Sequence, residues 1–216
     1  MRLTIAARSG SIVVRSGPRT DVEVHGAKVR LEPDGSTRIE SPSGNIDVLC
    51  PDGSDVILGT SSGKVSLEGS LGDVRVTSSS GSVHIEAVRS LDLRLRSGSI
   101  EVESCLGECH IVAVSGRVEI GRAGHVDITG VSGTIEANAV AGGRVRTTSG
   151  RVKVGLAIAA DLEVRAVSSS IHIDVPPGIA PEVRLKTLSG RKKIDVERGH
   201  DCVISAHTVS GSITVQ

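Results

Sequence analysis

The chain has 216 residues, 25 basic against 25 acidic side chains, and no Phe, Tyr or Trp. Charge this evenly interleaved, without aromatic platforms, argues against a nucleic-acid binder, which needs a basic stripe or stacking rings. No apolar run approaches the roughly 18 residues of a membrane helix, so direct membrane insertion is not expected.

The first residues, Met1-Arg2-Leu3-Thr4-Ile5, enter strand alternation at once and lack a secretory leader pattern, so a cytoplasmic location is expected, with envelope association through a partner left open. Leu3 and Ile5 lead to Ser9-Gly10, and Ile12 and Val14 follow. The same unit then recurs about every 17 to 21 residues. Ser43-Gly44, Ser62-Gly63, Ser80-Gly81, Ser97-Gly98, Ser115-Gly116, Ser132-Gly133 and Ser149-Gly150 are each followed by aliphatics two and four positions later. A second apolar pair lies seven and five positions before the Gly, as at Val56 and Leu58, Val74 and Val76, Leu91 and Leu93, or Val126 and Ile128. The residue three before the Gly is small, as at Ala7, Ser41, Thr60, Ser78, Ala113, Thr147 and Thr208. Alternation with period two means strands with one buried face. Each repeat is therefore a strand, a Ser-Gly corner, a second strand and a connection of variable length.

Two repeats break this register, and a third lacks its Gly. After Gly26 the aliphatics shift to Val29 and Leu31, and after Gly190 the inward slot holds Lys192. Both read as local bulges near the ends of the stack. Ser168-Ser169-Ser170 lacks the Gly altogether.

Glycine suits the corner because it accepts positive φ without a Cβ penalty. Serine there is expected to bond the local backbone and support the turn. Stacked antiparallel hairpins would satisfy the alternation, but one coil per repeat explains more, since like positions then stack on like positions. The pattern predicts an all-β fold: a right-handed parallel β-solenoid (β-helix) with two short strands per coil, running as one domain over residues 1–216. About a dozen corners, at about 4.8 Å per rung, make a rod on the order of 50 to 60 Å long. Without aromatic residues its core must be thin, built of stacked Val, Ile, Leu and Ala.

The recurring Ser-Gly-x-Ile/Val-x-Val unit, alternating with segments such as Asp73-Val74-Arg75-Val76, resembles the bacterial putative-adhesin family of β-strand repeats, whose function is unknown. The resemblance spans almost the whole chain. It implies an extended β-repeat protein of the cell envelope with no agreed catalytic residues.

Candidate chemistry is sparse. Cys50, Cys105, Cys109 and Cys202 fit no disulfide framework and read as free thiols. Cys105, Cys109, His110 and His125 have metal-ligand chemistry, but Cys109 falls in an inward slot and His110 must point the other way. Three residues after the Gly, Glu101, Glu119 and Glu136 stack on one outer face. They could hold a cation, though a solvated charged face relieved by Arg117 or Arg151 is the simpler reading. No nucleophile elbow or phosphate loop is present, so no catalytic, cofactor or metal residue is assigned and an enzyme is not expected.

Ser212-Ile213-Thr214-Val215-Gln216 and the first strand both look like bare sheet edges. Bare edges recruit other strands, which suggests end-to-end self-association, unless charges such as Arg2 and Arg8 blunt the edge or the segment after Gly190 folds over it. Two functions follow. The first is a non-enzymatic scaffold or adhesin-like module that binds a protein partner. The alternative is a self-assembling, bactofilin-like cytoskeletal element.

Overall fold

The computed structural model describes residues 1–216 as fourteen strands in one mostly parallel sheet, without a helix. They are β1 (Arg2–Ala7), β2 (Ser11–Gly17), β3 (Glu23–His25), β4 (Lys28–Leu31), β5 (Thr37–Ser41), β6 (Ile46–Pro51) and β7 (Asp55–Thr60). Then come β8 (Lys64–Val140), β9 (Gly143–Leu156), β10 (Leu162–Asp174), β11 (Glu182–Ser189), β12 (Lys192–Ile194), β13 (Val203–Ser210) and β14 (Ile213–Val215). The great length of β8 arises because its extended backbone runs through successive Ser-Gly corners without a break. The architecture is solenoid-like, as the repeat requires.

The corners form one column. A β-carbon on Gly63 would overlap the carbonyl oxygen of Gly10, and the same relation links Gly81 to Gly63, Gly98 to Gly81, Gly116 to Gly98, Gly133 to Gly116 and Gly150 to Gly133. Each of these glycines has φ between +120° and +132°. Glycine is therefore required twice at each of these seven corners, by dihedral angle and by the backbone of the next rung.

Hydroxyls stabilise the corner in a way the motif did not suggest. The small residue three positions before the Gly makes the local bond: Ser41, Thr60, Ser78, Thr147 and Thr208 each donate to the carbonyl of the corner Ser two residues on, at 3.0 to 3.3 Å. The corner Ser reaches across rungs instead. Ser97, Ser115, Ser132 and Ser149 donate to the carbonyls of Ser79, Arg96, Val114 and Val131. The corner serines thus tie rung to rung, and the expected turn bond belongs to their neighbours. At the repeat without Gly, Ser169 occupies the corner slot and is buried, with its hydroxyl unpaired.

The inward slots fill as the alternation predicts. A single cluster of 48 buried apolar residues runs the length of the stack, with Leu3, Ile12, Leu58, Ile85, Leu93, Ile111 and Ile120 almost fully enclosed. At about 25 cal/mol per Å² such ladders supply the stability that aromatic residues provide elsewhere. All four cysteines are free and buried in this core.

The ends differ from expectation. β1 is not an edge: it pairs with β5 on one side and β7 on the other, while β2 lies between β6 and β8. β14 is likewise enclosed between β10 and β12, and β13 between β10 and β11. Residues near both termini are held inside the stack, so the bare edges inferred for the first and last strands do not exist. The segment after Gly190 does fold over the last strand, as the capping alternative had it.

Neither irregular repeat is a bulge. β3 and β4 run antiparallel to β6 and β5, so Gly26 is the corner of a reversed rung that closes one end. β4 is the outermost strand at this end, so Val29, opposite Ile39, and Leu31, opposite Thr37, have no further rung to cover them and stay exposed. At the other end β12 keeps parallel register, with Lys192 opposite Ile213 and Ile194 opposite Val215. Lys192 occupies an apolar slot because β12 is outermost and nothing covers it.

Candidate functional site

Outward residues of successive rungs stack as strictly as inward ones, and they define the surfaces available for function. Six and eight residues before the corner lie two columns on one face. Together they line a shallow groove of about 480 Å³, bounded by Arg2, Asp55, Asp73, Asp92, Glu108 and His110. It continues into a second depression of about 290 Å³ beside His125, Asp127, Arg144 and Glu163.

Charges in this groove are paired between rungs. Arg89 reaches Asp73 at 2.8 Å and Asp55 at 3.5 Å, and Ser90 donates to Asp73 at 2.7 Å. Arg75 meets Asp92 at 3.0 Å, and Arg144 meets Glu163 at 2.6 Å. The hydrogen bonds from Arg89 and Ser90 hold the Asp73 carboxyl below its ordinary range, and the bond from Arg144 does the same for Glu163. His110 lies 3.8 Å from Asp127. One oxygen each of Asp92 and Asp127 is buried without a hydrogen bond. A surface of this kind, polar and lined by fixed alternating charge, suits recognition of a charged partner.

The cysteine–histidine cluster does not assemble. Cys105 and Cys109 are buried together, whereas His110 and His125 face outward. The hydrogen bond with Cys105, together with burial, pushes the Cys109 thiol up. The carboxylate column exists, and each member has a partner of its own. Glu101 faces His84 at 3.2 Å, Glu119 takes Arg117 at 2.8 Å, and Glu136 lies 3.9 Å from Lys153. Arg117 plays the part foreseen for it, while Arg151 pairs with none of the three. No three His, Cys, Asp or Glu side chains converge as a ligand set. The groove itself was not foreseen, because its acidic and basic members are scattered along the sequence and meet only through stacking.

The Toastrack model, DUF4097, matches residues 2–216. The chain belongs to the Toastrack family. This agrees with the resemblance to adhesin-like β-repeat proteins that the Ser-Gly unit carries. No curated protein matches this Toastrack chain in sequence at a significant level. Among solved structures, it is similar to a putative adhesin from Bacteroides fragilis at 15% identity and a TM-score of 0.43. The match covers 99% of this chain and 91% of the other.

Proposed function

We propose that this Toastrack chain is a non-enzymatic scaffold, an adhesin-like module that meets a protein partner through the polar groove. The observation that carries the reading is the inter-rung pairing there. Asp73, Asp92 and Glu163 are each fixed by an arginine, which favours a rigid recognition surface over proton transfer. Cys105 and Cys109, the most nucleophilic side chains by type, are buried away from the groove. A right-handed coil and about a dozen rungs belong to this reading, supported by the handedness of parallel crossovers. So does a cytoplasmic location, which four reduced thiols favour.

The test is affinity capture with the native chain beside a groove variant, Asp73→Arg with Glu108→Arg. A partner held by the native chain and lost by the folded variant supports the reading. Capture indifferent to the variant, or turnover of a substrate panel that the variant abolishes, overturns it.

Self-assembly keeps one supporting observation. The outer sides of β11 and β12 carry no further strand. Their lysines, Lys186, Lys192 and Lys193, are the residues by which edges are normally blunted. Light scattering across a wide concentration range decides between them. Mass that climbs with concentration favours assembly, and a strict monomer removes it.

A further inference from the structure

The stack also sorts residues two positions before each corner, and there it builds an apolar crest on the outside of the molecule. In rung order this column reads Leu188, Val209, Val167, Thr148, Val131, Val114, a sequence fixed by the pairing of the corner serines. Ser189 pairs with Ser210, Ser210 with Ser168, Ser168 with Ser149, and Ser149 with Ser132. The five aliphatics are 44% to 78% exposed. Six rungs at about 4.8 Å give a crest about 24 Å long. Scattered surface aliphatics are ordinary, but a contiguous line of them marks an interaction site.

Its flanks are basic. On the upstream side Lys186, His207, Arg165 and Arg146 stand on consecutive rungs, paired strand to strand. On the downstream side lie Arg191, Arg151 and Arg117, each directly after its corner. Arg165 and Arg117 have carboxylate partners on their own strands, Glu163 and Glu119, while Arg146, Arg151, Lys186 and Arg191 form no ion pair. Over these six rungs neither flanking column contains a carboxylate. A chain of zero formal net charge thus presents one line where basic groups border exposed aliphatics on both sides.

We propose that this crest docks the molecule peripherally on an anionic lipid bilayer, the aliphatics entering the headgroup layer and the basic flanks meeting lipid phosphates. A second copy is disfavoured as occupant, because two such crests would oppose like charge. An exposed apolar line bordered by basic groups matches acyl chains beneath anionic headgroups, and no spanning element is involved. Apolar burial plus attraction to anionic headgroups is the established combination for interfacial binding. Each basic group near such a surface contributes roughly fivefold in affinity, or about 1 kcal/mol. The proposal goes beyond the scaffold reading and rests on other residues, its upstream flank adjoining the groove columns at Arg165 and Glu163.

The test is co-sedimentation at physiological ionic strength with vesicles of equal parts phosphatidylcholine and phosphatidylglycerol, beside pure phosphatidylcholine. The native chain is expected to pellet only with the anionic vesicles. Arg146→Gln with Arg151→Gln should weaken binding more than about tenfold, and so should Val131→Ser with Val167→Ser and Val209→Ser. All five positions are at the surface, and thermal melts check that each variant is folded. Thr148→Leu fills the gap in the crest and should strengthen binding severalfold, a gain that misfolding cannot imitate. No binding of the native chain overturns the proposal and leaves an acidic protein as occupant. Full retention by the serine variant, or equal binding to uncharged vesicles, overturns it as well.

Discussion

The carbonyl oxygen of Gly116 occupies the space that a β-carbon on Gly133 would need. Gly133→Ala therefore has to displace the backbone of the next rung as well as adopt φ near +129°. Gly44 is a useful contrast, with φ +114° but open space where its β-carbon would lie. The expected destabilisation is about 2–4 kcal/mol for Gly133→Ala and about 1 kcal/mol for Gly44→Ala. Urea titration of the two variants measures the difference. Equal losses would mean that dihedral strain alone dictates glycine at the corner.

Val215 illustrates how the position of a strand in the stack outweighs its position in the chain. It is fully buried, opposite Ile173 on one side and Ile194 on the other. Val215→Lys, which would protect a true edge, should instead cost about 3 kcal/mol or more through burial of an unpaired charge. Lys192→Ala, on the outermost rung, should change stability by less than about 0.5 kcal/mol. Thermal melts of both variants decide whether the last strand is interior.

The inward half of this molecule was legible because alternation and the Ser-Gly spacing are local. Leu3, Val74, Leu91, Cys109 and Ile213 could be assigned to the core by counting from the nearest glycine. Rung order at the ends was not legible, since any coil presents the same Val and Ile ladder to any neighbour. Nothing in the spacing of Ser9-Gly10 says that β1 should lie between β5 and β7. The groove and crest were hidden for a related reason. Arg146 and Arg165 are nineteen positions apart in sequence yet adjacent in the sheet, so charge that looks interleaved along the chain is segregated in space. Counting from the glycine for buried slots also passed over Val131 and Val167, which sit on the outward phase.

Acid should loosen the groove before the core. Asp73 is held low by Arg89 and Ser90, and Glu163 by Arg144. A carboxyl depressed in the folded state contributes stability above its unfolded value, and that contribution is lost as pH falls through the folded value. The ordinary values are 3.8 for Asp and 4.5 for Glu, so the loss begins near and below that range. Because these groups border solvent, each pair is worth at most about 1 kcal/mol. The urea midpoint is expected to decline from pH 5 towards pH 3 (roughly the carboxylate range), and Arg89→Gln with Arg144→Gln should flatten that decline. An unchanged slope in the variant would assign acid sensitivity to other carboxylates.

The thiols offer a probe of how the stack opens. Cys50, Cys105, Cys109 and Cys202 are all buried, and burial pushes the thiols of Cys50 and Cys202 up, away from the reactive thiolate. Modification by an aromatic disulfide reagent should therefore be at least about a hundredfold slower in the native chain than in denaturant, the mark of openings that cost about 3 kcal/mol. Cys202 lies just before β13 near one end of the stack, whereas Cys109 lies within β8. Rungs near an end have fewer neighbours to hold them, so Cys202 should react first and Cys109 last. Single-cysteine variants read the order directly. Simultaneous reaction of all four thiols would show that the rungs open as one cooperative unit and not from the ends inward.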